Sequence, residues 1–297
     1  VNASKIAEHF EINHHIESVE NFLESLPAAI SCVKLPFWDI HWFYVAKKAQ
    51  TISKDIISGN GGDELFGGYV FRYSKFLSLV NEKSSPLEKI KAYLECHNRD
   101  FIPEQIQIFD KKSNFSWDMI YKIFYPYFDN SLPILNQVLL ADYNGKLLHN
   151  FTFVNKKINE HFNIREIMPI LSPNLISYSS HLDPKYKYDY ENHSGKILLR
   201  KLAEKLELNS FVKNEKQGFS MNTINLWKKH GKNICSYFLL DSRAARDGWI
   251  SHEWIKKNIS QDDIDVRHVN KFFGLLAVEI WYRLFVTNEM SSKEKLE

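Results

Sequence analysis

The sequence predicts an α/β protein in which a small part of a parallel sheet leads into a large helical lobe. Three observations carry that expectation. Asp55-Ile56-Ile57-Ser58 is short and apolar enough for a buried strand. It runs straight into Gly59-Asn60-Gly61-Gly62-Asp63-Glu64-Leu65-Phe66-Gly67-Gly68, where five of the chain's eleven glycines fall. Beyond Tyr69 the apolar residues recur at helical spacing almost to the end of the chain.

Residues 3–11 read as a helix and residues 15–19 as a strand. A helix over 19–33 is expected next, because Phe22, Leu23, Leu26 and Ile30 recur at i, i+3 and i+4. Residues 38–53 read as a further helix, and 55–58 as the strand entering the glycine run. Ser85-Pro86 joins a good N-cap to a proline at the first helical position, which predicts a helix to about Cys96. Helices are also expected over 133–149, 172–182, 194–206, 222–240 and 266–287. Residues 110–131, with Pro126 and many aromatics, show no decisive period. The 21 Phe and 14 Tyr suggest a helical region packed with large rings.

A chain of 297 residues suffices for one large domain or two small ones with ample core. The net charge of +2 supplies no field suited to nucleic acid or a membrane surface, so neither partner is expected. The stretch from Phe272 to Phe285 is broken by Glu279 and Arg283 and is too short to span a bilayer. Cys32, Cys96 and Cys235 are far apart and offer neither a disulfide framework nor a CxxC metal spacing, which fits a reducing, cytoplasmic setting. His14-His15 are adjacent rather than four apart, so one is expected at the core edge and the other in water.

Glycines directly after a strand let backbone N–H groups turn toward an anion, and carboxylates just beyond can hold the Mg²⁺ that accompanies a nucleotide. The plainer reading is a sharp strand-to-helix turn followed by a second turn at Gly67-Gly68. As a string, Ser58 to Tyr69 is SGNGGDELFGGY. It resembles the nucleotide-site signature of the asparagine synthetase family, SG(E/D)G(A/G)DELFGGY, at eleven of twelve positions. The departure is Asn60, where that family usually has a carboxylate. Gly195-Lys196-Ile197-Leu198-Leu199-Arg200 is similar to the family's GKxLLR segment. Lys213-Asn214-Glu215-Lys216-Gln217-Gly218-Phe219-Ser220 is similar to its lysine-and-phenylalanine loop. Met168-Pro169-Ile170-Leu171-Ser172 resembles its xPFLD segment without the final Asp.

The resemblance implies an ATP-pyrophosphatase-type domain, similar to adenine nucleotide alpha hydrolases. Residues 1–78 would form the C-terminal part of its nucleotide-binding core, and 79–297 a mostly helical remainder. It implies ATP and Mg²⁺ as cofactors, and asparagine synthesis from aspartate through an acyl-adenylate, with ammonia released from glutamine. Relatives with similar loops make lactams, peptide macrocycles or sugar-linked amides. Carried over residue by residue, Asp63 is the metal ligand, and Ser58, Gly59, Gly61, Gly62 and Glu64 hold the nucleotide. Lys216 and Asn60 act on the reacting groups. Asp63 and Glu64 could instead cap the following helix, and Lys216 could be an ordinary surface lysine. Asn60 can hydrogen-bond the substrate amine but cannot take its proton. Glu166 lies near Pro169, where relatives often place an acid, but one position out of register. The acyl pocket is expected around residues 36–40 and in strands this chain does not contain.

The family's SGGxDS pyrophosphate loop has no counterpart, since no glycine precedes Gly59, and the glutaminase domain is absent as well. The expectation is therefore an N-terminally truncated synthetase, inactive alone and completed by the missing part or by a chain carrying it. The rival is a non-catalytic fragment or partner-dependent subunit. A homodimer is left open for the full-length form.

Overall fold

The computed structural model describes residues 2–97, 99–212, 222–261 and 264–297. The first elements are α1 (Asn2–His9), α2 (Leu26–Val33), α3 (His41–Ala49), β1 (Asp55–Ile57) and α4 (Gly62–Phe66). A helical stretch follows: α5 (Val70–Leu79), α6 (Pro86–Glu95), α7 (Trp117–Phe128), α8 (Ile134–Ala141), a π-helical segment over Asp142–Thr152, and α9 (Phe153–His161). The chain then returns to the sheet with β2 (Arg165–Ile167), and continues through α10 (Pro173–His181), β3 (Tyr188–Asp189), β4 (Ser194–Gly195) and α11 (Ile197–Lys205). The remaining helices are α12 (Asn209–Val212), α13 (Thr223–Leu226), α14 (Lys232–Leu239), α15 (Arg243–Arg246), α16 (His252–Ile259) and α17 (Val266–Phe285).

β1 pairs in parallel with β2, placing Ile56 opposite Glu166 and Ile57 opposite Ile167. A parallel pair needs a crossover, and here the whole helical stretch α4–α9 supplies it. The expected strand over 15–19 does not form: residues 12–19 have no regular structure, and His14 and His15 are both exposed. No strand among the described residues pairs with that segment, whereas β2 has a partner. At three residues β2 is too short to show a period of its own. Its existence depends on β1.

Helix boundaries moved where local chemistry sets them. The helix expected over 19–33 starts at Leu26, because Pro27 stands in its first turn. Phe22 and Leu23 are buried all the same, ahead of the helix. The helix expected over 38–53 narrows to His41–Ala49. The one expected over 194–206 starts at Ile197, since Ser194 and Gly195 pair with Asp189 and Tyr188. The one expected over 133–149 runs on through the π-helical segment into α9. Ser85 caps α6 as anticipated, and the Glu88 side chain accepts the Ser85 N–H in return. Residues 117–128 are helical with Pro126 inside, started by the Ser116 hydroxyl.

Two apolar cores result. The larger joins α2, α3 and α13–α17 around Leu23, Leu26, Ile30, Phe272, Phe273 and Ile280. The smaller is the expected ring-packed region, with Tyr73, Phe76, Tyr93, Phe128 and Tyr188 fully buried. No helix among the described residues is long and apolar enough to cross a membrane.

Asp265 starts α17 by accepting the backbone N–H groups of Arg267 and His268 at 2.9 and 3.0 Å. The His268 ring lies between Asp265 and Glu104, 3.0 and 2.9 Å away. Burial raises the Asp265 carboxyl, but the Arg267 guanidinium and His268 outweigh it and hold it well below the usual carboxylate range. A depressed folded value stabilises above the unfolded value of about 4 and is lost as pH falls through the folded one. Asp265→Asn should therefore melt lower than wild type at pH 7, with the gap closing from about pH 5 toward pH 2. A gap that stays constant in circular-dichroism melts across that window would show that the carboxylate charge contributes nothing.

Candidate functional site

The glycine run folds into a closed loop at the end of β1. The Ser58 N–H donates to the Ile167 carbonyl at 3.0 Å, extending the ladder by one bond. Gly61 then turns at φ 89° to start α4, and Gly67 ends that helix at φ 74°. A side chain at either position would be strained. Gly59 differs, because a Cβ there would meet nothing within 4 Å. It borders open space.

The second family-like segment closes on this loop. The Lys196 N–H donates to the Phe66 carbonyl at 3.0 Å, and the Lys196 ammonium lies 2.8 Å from Asp63 Oδ1. The fit is tight: a Cβ on Gly195 would sit 2.0 Å from the Gly67 carbonyl oxygen, and one on Gly68 would overlap the Asp63 carboxylate. Glu64, beside Asp63, is held more deeply. It is 3% exposed, and the Tyr69 hydroxyl donates to it at 2.5 Å. Burial pushes the Glu64 carboxyl up, against that hydrogen bond.

Asn60 and Ser58 meet Glu166 of β2. Glu166 Oε1 accepts from Ser58 Oγ at 2.6 Å and from Asn60 Nδ2 at 2.8 Å. Glu166 Oε2 accepts from Asn159 Nδ2 at 2.8 Å, and Asn159 Oδ1 accepts from the Trp42 indole at 3.0 Å.

The loop forms one wall of a cleft of about 330 Å³. Gly59 to Glu64 line it, opposite Asp39, His41 and Trp42 of the α3 region and Lys146, Leu147 and Phe151 of the π-helical segment. The Lys146 ammonium stands 3.9 Å above the Tyr69 ring. π-helical turns often mark functional sites, and this one carries Lys146 and Phe151 to the cleft. A second cavity of about 530 Å³ adjoins it, lined by Pro36, Phe37, Trp38, Arg99 and Asn270 among others.

Of the sequence-predicted residues, Ser58, Gly59, Asn60, Gly61, Gly62, Asp63 and Glu64 share this loop, and all but Ser58 border the cleft, Glu64 while almost fully buried against Tyr69. Lys216 lies outside the described residues. Glu166, out of register in the sequence, is brought beside Asn60. Lys196, Lys146, Trp42 and Asn159 were not singled out as site residues. Lys196 had a signal in the GKxLLR-like segment, whereas the other three had none. No group of three or more His, Cys, Asp or Glu able to hold a metal occurs among the described residues. Mg²⁺ is commonly held by one or two carboxylates plus substrate phosphates, and Asp63, whose side chain is 27% exposed, meets that lesser requirement.

A search of curated proteins returned no match. The family model for asparagine synthase matches residues 1–283, and the chain belongs to that family.

Proposed function

We propose that this protein is an ATP-dependent amide-forming ligase in which the loop from Ser58 to Gly68 binds the nucleotide's phosphates. Aspartate is the carboxylate substrate in this reading, and ammonia from glutamine the nitrogen source. The observation that carries it is the clamp between Asp63 and Lys196. Two segments far apart in the chain, both resembling the family's in sequence, meet at Asp63, which lines the cleft together with the open backbone at Gly59.

Asp63 would hold Mg²⁺ together with the phosphates, and the ion supplies charge neutralisation to the triphosphate when bound. The chain's own residues do the rest. Glycine N–H groups offer donors to phosphate oxygens. Lys196, released from Asp63, can follow the departing pyrophosphate as a mobile point charge. Lys216 belongs to the same reading as a second cation. The Trp42 face and the adjoining cavity around residues 36–41 give the acyl group a place outside the phosphate loop.

The test is Asp63→Asn, which keeps size and an acceptor oxygen but weakens a hard-cation site. In the full-length protein, aspartate-dependent pyrophosphate release should fall about 100-fold, while the melting temperature stays within a few degrees. Lys196→Met should act similarly. If Asp63→Asn melts the protein but leaves activity per folded molecule intact, the clamp is structural and the reading fails.

A further inference from the structure

Asn60 departs from the family pattern by one functional group, and its surroundings account for that departure. A carboxylate has only acceptors, so the Asn60 group within 2.8 Å of Glu166 Oε1 must be its NH₂. The same reasoning orients Asn159 twice over, since the Trp42 indole can only donate and Glu166 can only accept. Three donors converge on Glu166, from Ser58, Asn60 and Asn159, and Asn159 is 4% exposed. The network runs from Trp42 on one wall of the cleft to Asn60 on the other. With one N–H of its NH₂ committed to Glu166, the Asn60 side chain keeps its second N–H and its carbonyl oxygen, and Asn60 lines the cleft.

We propose that Glu166 is a positioning residue that holds the Asn60 carboxamide with its carbonyl oxygen presented to the cleft, as acceptor for an N–H of ammonia or a primary amine. The charge that resembling sequences carry at position 60 is carried here on β2 instead. An acid at position 60 would face Glu166 within hydrogen-bond distance, and two carboxylates so placed cannot both ionise freely. Restoring the family's usual acid at position 60 therefore conflicts with the carboxylate that this protein already places behind it. The amine assignment rests on the amide-forming reading above. The Asn60–Glu166 coupling does not.

The experiment compares wild type, Asn60→Asp, Glu166→Gln and the double variant. Carbon-13 NMR titration of the Asn60→Asp protein should show a carboxyl midpoint raised above the usual carboxylate range, shared with Glu166. Its melting temperature should fall below that of wild type as pH rises through that midpoint, because the raised group binds its proton more tightly folded than unfolded. In the double variant the carboxamide introduced at position 166 can donate to the carboxylate introduced at position 60. The midpoint should then return to the usual carboxylate range and the stability loss should be recovered. An Asn60→Asp protein that titrates normally and melts like wild type, or one that Glu166→Gln does not rescue, would overturn the coupling. The second arm measures amide formation by the full-length protein with ammonium as nitrogen donor. Glu166→Gln lets the Asn60 amide turn over, and should raise KM for ammonium about tenfold with kcat changed far less. An equal loss in both, or a change confined to kcat, would overturn the amine assignment. If the full-length wild type forms no amide under any condition, the amide-forming reading and the amine assignment fall together, while the titration still decides the coupling.

Discussion

Asp142→Ala is expected to cost about 3–5 kcal/mol of folding stability, the range for breaking one partner out of a buried ion pair. Asp142 is fully buried and Arg72 is 4% exposed, and the two are hydrogen-bonded. The Tyr93 hydroxyl also donates to Asp142, at 2.8 Å. Burial pushes the Asp142 carboxyl up against the pull of Arg72. With Asp142 removed, the guanidinium keeps its desolvation cost and loses its anion. The double change Arg72→Met, Asp142→Leu removes both charges and should recover most of the loss. The consequence reaches the site. Arg72 sits 4.4 Å over the Tyr69 ring, and Tyr69 donates to Glu64 in the glycine-rich loop. The single variant should expose amides of residues 62–69 to faster hydrogen exchange before global unfolding. Urea unfolding gives the energy and exchange mass spectrometry the location. A single variant within about 1 kcal/mol of wild type would mean that the pair is compensated by other contacts.

Gly195→Ala is expected to cost about 1–3 kcal/mol and to open the glycine-rich loop. The added Cβ would lie 2.0 Å from the Gly67 carbonyl oxygen and 3.0 Å from a Val70 methyl. The first of these contacts is to backbone, which cannot rotate away as a side chain can, so the β4–α11 turn must retreat from α4. Lys196 is the next residue, and its reach to Asp63 depends on that approach. ATP binding should weaken with stability. Gly59→Ala is the matched control, because its Cβ meets nothing within 4 Å and its melting temperature should be unchanged. If ligand lies over that open floor, Gly59→Ala should still weaken ATP binding. Equal stability of the two variants in thermal melts would show that the close approach at Gly195 is absent in solution.

The sequence by itself determined the parts whose causes lie within a few residues of each other. The Ser85 cap with Glu88, the strand into the glycine run, the long α17 and the ring-packed core all rest on period, capping and burial preference. It also carried the family, because SGNGGDELFGGY is one contiguous string. The expected strand over 15–19 failed for the complementary reason: an extended segment becomes a strand only when another strand is there to pair with it. What only the tertiary structure decided are contacts with no local signature. Glu166 meets Asn60 across 106 residues and Trp42 meets Asn159 across 117. Lys196 reaches Asp63 from a separate turn, and Lys146 reaches the cleft from a π-helical segment that the sequence showed only as helix. A hydrogen bond is satisfied by whichever partner the fold delivers. The choice of Glu166 as the carboxylate facing Asn60 was therefore made by the parallel register of β1 and β2.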